Sequence, residues 1–162
     1  MENGDHTLYM NLLELLKPEL MIIRAGSTSK DALIAEIVDR IYDTYRDIPV
    51  PKEELLNSID IREKIGGTVL PSGLSVPHSR LKDYDEIVIA LATPAEPIFH
   101  DGTQIRLMTL MLSSQSGGPY YLPAVATFTK ISRDEDYFNR LCEAENLTAF
   151  LRILRERNFN MG

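Results

Sequence analysis

Two short apolar runs, residues 87–92 and 105–112, constrain this chain more than any other feature. The first reads Ile-Val-Ile-Ala-Leu-Ala, with no residue suited to face water. A strand is apolar on both sides only where both faces of its sheet are covered. At six to eight residues, the runs fall far short of the ~20 needed to cross a bilayer. They are read as buried strands, and the covers are sought in the rest of the chain.

Helical periodicity supplies those covers. Ser27, Thr28 and Ser29 offer N-cap oxygens, and Asp31 sits in the first turn. Leu33, Ile34, Ile37, Val38, Ile41, Tyr42 and Tyr45 then recur at helical spacing until Pro49 and Pro51 intervene. Pro51 suits the start of a second helix, with Glu53 and Glu54 at its positive end and Leu55, Leu56 and Ile59 on one face. Gly66-Gly67 breaks it near Ile65. Residues 66–79 read as a loop with short extended pieces. Asp101-Gly102 is a turn signal. Gly117-Gly118-Pro119 opens a helical stretch to about Ile131. Asp134 starts another that ends near Cys142, and Asn146 caps a last one carrying Leu147, Phe150, Leu151 and Leu154. Met21-Ile22-Ile23 is a further short strand. Buried strands alternating with amphipathic helices define an α/β chain.

Composition bounds the function. At ~100–200 residues per domain, 162 residues make one domain. The expected division is a flexible tail over 1–7 and a single domain over 8–162. The net charge of −7, with Lys and Arg scattered, argues against nucleic-acid binding, which needs clustered positive charge. An acidic membrane surface repels such a chain. The lone Cys142 forms no internal disulfide and supplies no multi-thiolate zinc site. The polar start carries no signal-peptide pattern. The expected setting is cytoplasmic.

Three histidines remain as the candidate reactive groups. His78 follows Val76-Pro77. Pro77 fixes its own φ and biases Val76 to extended geometry, so the backbone delivering His78 is stiff. A neutral imidazole is a nucleophile. The plainer alternative is an ordinary histidine at a strand end. Arg62 lies 16 positions earlier, in Arg62-Glu63-Lys64. Its planar fork of donors fits a phosphate, or it simply ends a solvated helix. Ser79 and Arg80 flank His78 and are placed to touch an anion. His100 falls in a turn and His6 in the tail, and neither spacing suggests metal ligation. Gly66-Gly67 lacks the Gly-Lys-Ser/Thr ending of a phosphate loop. Ser113-Ser114-Gln115-Ser116-Gly117-Gly118 is a polar loop that either lines a site at the sheet edge or merely connects. Asn146-Leu147-Thr148 matches a glycosylation acceptor, and reads better as a helix cap.

Arg62-Glu63-Lys64, Gly66-Gly67-Thr68 and Gly73-Leu74-Ser75-Val76-Pro77-His78 together resemble the signature of the type-2 enzyme IIA domains. These fructose, mannitol and nitrogen-regulatory IIA proteins belong to the phosphoenolpyruvate-dependent phosphotransferase system. The resemblance covers about residues 8–157. It implies a single α/β domain with a central mixed sheet flanked by helices. It implies a phosphocarrier: His78 takes a phosphoryl group from HPr and passes it to a IIB domain, or holds it as a regulatory mark. Arg62 would steady the phosphoryl charge. Ser79, beside His78, and Tyr121 are the expected binding residues on their own chemistry. No cofactor or metal is implied.

One departure stands out. Many members carry a second histidine at the start of the helix after the second buried strand, where this chain has Tyr121. A tyrosine hydroxyl hydrogen-bonds a ring nitrogen or phosphate oxygen but never becomes a cation. Two functions therefore compete at this stage. One is a phosphocarrier. The other is a IIA-like binding module that docks on a transporter or kinase without onward transfer.

Overall fold

A computed structural model describes residues 10–67 and 69–161. The expected tail over 1–7, with His6, and Thr68 of the glycine motif lie outside the described residues. In chain order the elements are β1 (Met10–Asn11), β2 (Met21–Ala25), α1 (Lys30–Thr44), α2 (Lys52–Ile65), β3 (Leu74–Ser75), β4 (His78–Leu81), β5 (Val88–Pro94), β6 (Ile98–His100), β7 (Thr103–Ile105), β8 (Leu107–Ser114), α3 (Tyr121–Arg133), α4 (Glu135–Cys142), α5 (Leu147–Leu154) and β9 (Asn160–Met161).

The two apolar runs become β5 and β8, adjacent and antiparallel at the centre of a mixed sheet. β2 joins β5 in parallel on one side. β3 and β4 lie end to end along the other side of β8, both parallel to it. This is the α/β, mixed-sheet architecture expected from the resemblance. Alternation sends Ala90, Ala92, Met108, Leu110 and Leu112 to one face, against Leu33, Ile37 and Ile41 of α1 and Leu55 and Ile59 of α2. Ile89, Leu91, Leu107 and Met111 go to the other, against Phe128, Phe138 and Phe150 of α3, α4 and α5. Each strand is apolar on both sides because each side has its own helical layer.

Local chemistry sets the element ends. The Ala32 amide donates to Ser29 Oγ at 3.1 Å and caps α1. The Ala149 amide donates to Asn146 Oδ1 at 2.8 Å, so the Asn-Leu-Thr triplet is a helix cap. Asp101 and Gly102 both have positive φ, 49° and 82°, and join β6 to β7 in a two-residue hairpin turn.

One expectation needs correction. Residues 105–112 do not form one strand: Ile105 ends β7, Arg106 intervenes, and β8 continues to Ser114. The serines at 113 and 114 that read as loop are therefore strand residues. Ser113 is tolerated because its hydroxyl meets His78, and Ser114 because it lies at the partly exposed end of the strand. Residues 66–79 are a loop with short extended pieces, as expected. Leu74–Ser75 is strand, and His78 opens another. Pro77 breaks the edge between them. Its carbonyl still accepts from the Met111 amide at 3.0 Å, and its missing N–H falls where an edge strand tolerates it.

Candidate functional site

His78 is the first residue of β4 and pairs in register with Met111 of β8. It therefore faces the α3 side of the sheet. Tyr121 opens α3 and lays its ring on the imidazole, with centroids 3.9 Å apart and planes 18° from parallel. Arg62 and Ile65, from the last turn of α2, reach the same place from the other side of the edge strand. Arg62, Glu63, Ile65, Gly66, Val76, His78 and Tyr121 line one cleft of about 280 Å³.

The structure thus brings Arg62, His78 and Tyr121 together from three separate elements. It does not bring the Ser79 side chain with them. Successive residues of a strand face opposite ways, and Ser79 points towards α2, where its Oγ is 2.9 Å from Ser58 Oγ. His100 sits beside the hairpin turn, 3.5 Å from Asp101 Oδ2 and away from the cleft.

Burial controls the imidazole. His78 is only 4% exposed. Its pKa falls from 6.5 to about 4, first because burial penalises the cation, then because the positive Arg62 and Arg80 repel it. The ring is neutral at pH 7 and keeps a lone pair for attack on an electrophile. The Arg62 guanidinium is exposed and makes no hydrogen bond or ion pair among the described residues, so its donors are open to an anion. The wall that carries it is anchored. Glu63 forms an ion pair with Lys30 at the start of α1, each side chain 7% exposed.

Of two further contributors, sequence reasoning left one undecided and missed the other. Ser113 Oγ is 2.8 Å from His78 Nε2, although 35 residues separate them. The sequence offers Ser113 only within the polar segment 113–118, which either lines a site at the sheet edge or connects, and strand register with Met111 puts its hydroxyl on the His78 face. Lys30–Glu63 carried no signal beyond two charges on different helices. A larger crevice of about 390 Å³ lies beyond the ends of β2 and β5, between Arg24, Arg106 and Cys142. Its thiol is pushed up to about 12, chiefly by burial, and is a poor nucleophile. The reactive inventory is therefore at His78.

A mixed sheet with helices on both faces, and a buried histidine presented by a proline-broken edge strand, define a domain of the type-2 enzyme IIA class. The chain belongs to the family described as phosphoenolpyruvate-dependent sugar phosphotransferase system, EIIA 2, whose model matches residues 14–157. A nitrogen regulatory protein of Bradyrhizobium diazoefficiens is 26% identical over 149 residues, 90% of this chain and 95% of that protein. The 2-O-alpha-mannosyl-D-glycerate-specific EIIABC component of Escherichia coli is 26% identical over 140 residues, 83% of this chain but 21% of that larger protein. Among solved structures, the nitrogen regulatory protein IIA-Ntr of Neisseria meningitidis superposes with a TM-score of 0.71 at 19% identity, covering 88% of this chain and 98% of that one. The IIA mannitol protein of Escherichia coli gives 0.66 at 19% identity, covering 86% and 98%. The structural likenesses establish the fold. The family match gives this chain a IIA-type role, as phosphocarrier or regulator. Among the described residues, no helix is long and apolar enough to cross a membrane.

Proposed function

We propose that this protein is a cytoplasmic histidine phosphocarrier that accepts a phosphoryl group from HPr on His78. It then transfers that group to a IIB domain or uses it as a regulatory signal. The observation that carries this reading is His78 itself: an imidazole held neutral at pH 7, in a cleft it shares with the open guanidinium of Arg62. Phosphoryl transfer asks mainly for positioning and for positive charge beside the moving group. His78 supplies the acceptor and Arg62 the charge. The rim supports a protein partner rather than a small substrate. Ile65 and Leu122, on the helices either side of the cleft, are 83% and 71% exposed, and large apolar side chains exposed together beside a cleft mark a surface that a protein partner covers. The family match and the likeness to a IIA mannitol protein solved with phosphorylated IIB mannitol support the same reading.

The transfer breaks the N–P bond of the donor phosphohistidine and forms an N–P bond on His78. A phosphoryl group adds about −1.5 to −2 charge there, by analogy with other phosphorylated side chains, on a chain already at −7. Incubation with phosphoenolpyruvate, enzyme I and a cognate HPr is expected to label the wild type in an acid-labile form and leave His78→Ala unlabelled. An unlabelled wild type, or a labelled His78→Ala, contradicts the proposal.

Tyr121 favours a second reading. Its ring covers His78 at a position where the sequence resemblance leads one to expect a histidine. Under this reading the domain is a regulatory module that docks on a transporter or kinase, with phosphorylation as a switch and no onward transfer. Transfer of label from the phosphorylated protein to a IIB domain separates the two readings.

A further inference from the structure

Ser113 sits near the end of β8, on the face that carries Met111 and looks towards α3, and is 1% exposed. Its Oγ lies 2.8 Å from His78 Nε2 and 3.2 Å from the carbonyl oxygen of Ser114. The other ring nitrogen, His78 Nδ1, is buried with no hydrogen-bond partner among the described residues. Neutral histidine and serine bring one hydrogen each to this group, so two arrangements are open.

In one, the hydroxyl donates to Nε2. The ring hydrogen is then on Nδ1, a buried N–H with no acceptor, which folded proteins very rarely tolerate. In the other, Nε2–H donates to Ser113 Oγ, and the hydroxyl passes its own hydrogen to the Ser114 carbonyl. Both hydrogens are then accepted. What remains unpartnered is a lone pair on Nδ1, the less costly deficit.

We propose that Ser113 is a positioning residue for His78: it accepts from Nε2–H, selects that tautomer of the neutral ring, and fixes the ring's rotation under Tyr121. Two contacts then define the ring. Stacking on Tyr121 sets its plane, and the Ser113 bond sets its angle within that plane. The same bond governs reactivity. Attack through Nδ1 keeps Ser113 as the acceptor of the Nε2 proton while positive charge develops on the ring. Attack through Nε2 requires the ring proton to move to Nδ1 and the Ser113 hydroxyl to turn round. By either route, the hydroxyl fixes the ring position from which attack starts, so its loss slows the reaction.

The consequence for rate rests on the proposed phosphocarrier reading, whereas the tautomer does not, and the experiment separates the two. Nitrogen-15 NMR of the His78 ring at pH 7 is recorded for wild type, Ser113→Ala and Ser113→Thr, and the rate of labelling by HPr is measured for the same three. Wild type is expected to hold its proton on Nε2. Ser113→Ala is expected to show exchange between tautomers and labelling at least tenfold slower. Ser113→Thr, which keeps the hydroxyl, is expected to restore the tautomer and to label within about threefold of wild type. A proton on Nδ1 in the wild type overturns the proposal, as does a Ser113→Ala variant with an unchanged tautomer or an unchanged rate. If the wild type takes no label at all, the phosphocarrier reading fails, and the NMR comparison alone decides the role of Ser113.

Discussion

The imidazole of His78 and the phenol ring of Tyr121 lie face to face, 3.9 Å between centroids. The stack removes one face of the proposed acceptor from water. Much of what is unusual about His78 follows from being covered in this way.

Replacing Tyr121 tests that cover. Tyr121→Ala is expected to hydrate the imidazole and raise its pKa from about 4 towards 6.5, stopping short because the positive Arg62 and Arg80 remain. An NMR titration of the His78 ring reads the change. A pKa still near 4 in Tyr121→Ala would show that the sheet, not the tyrosine, excludes water.

The depressed pKa has a consequence for stability. The unfolded chain takes up a proton at His78 near pH 6.5, whereas the folded chain does so only near 4. Between these values the unfolded state binds more protons, so stability rises with pH and falls as the solution is acidified. The expected loss from this one group between pH 7 and pH 5 is about 2 kcal/mol, and it saturates below pH 4. Urea unfolding of wild type and His78→Asn at both pH values isolates it. The acid-induced loss should be smaller in the variant by about that amount.

Arg62 is expected to act on rate and not on folding. Its side chain is exposed and makes no hydrogen bond or ion pair among the described residues, so Arg62→Ala should change stability by less than about 0.5 kcal/mol. Labelling by HPr should fall by about a hundredfold, the scale of losing one preorganised electrostatic partner. Arg62→Lys keeps the charge but loses the fork, and should fall between the two. Equal labelling rates in all three proteins would remove Arg62 from the site.

Gly73 supports the strand that leads to His78. Its φ is +97°, and a Cβ built there would lie 2.8 Å from Arg106 Cγ and 2.9 Å from the Gln104 carbonyl. Its own carbonyl accepts from the Arg106 amide at 2.7 Å, so the backbone has little freedom to withdraw. Gly73→Ala combines left-handed strain with a clash and should cost about 2 kcal/mol or more. Thermal unfolding measures this directly. A variant as stable as wild type would mean that the β3 approach is softer than these contacts imply.

Periodicity made much of the fold legible. The spacing of Leu33, Ile34, Ile37, Val38 and Ile41 marked α1, and those side chains are buried in it. Pro51 and Gly66-Gly67 bracketed α2 to within a residue. The reading weakened wherever polar residues entered strands. Ser113 and Ser114 looked like a connector, because a hydroxyl is equally at home in a turn. Within the short extended pieces of 66–79 nothing in the sequence marks which residues pleat together, so Ser79 stands beside His78 in sequence although the pleat sends the two side chains to opposite faces.

From its sequence alone the chain determined an α/β fold, since two apolar runs need two covers, and it determined a stiff approach to His78, since Pro77 fixes its own φ and restricts Val76 before it. Both properties arise from neighbours in the chain. The tertiary structure decided which nitrogen of that histidine meets Ser113, which ring shields it, and how far burial lowers its pKa. Those depend on distances between residues 35 and 43 positions apart, His78 to Ser113 and His78 to Tyr121. Local periodicity carries no information about such distances; they were set only when β4, β8 and the start of α3 packed together.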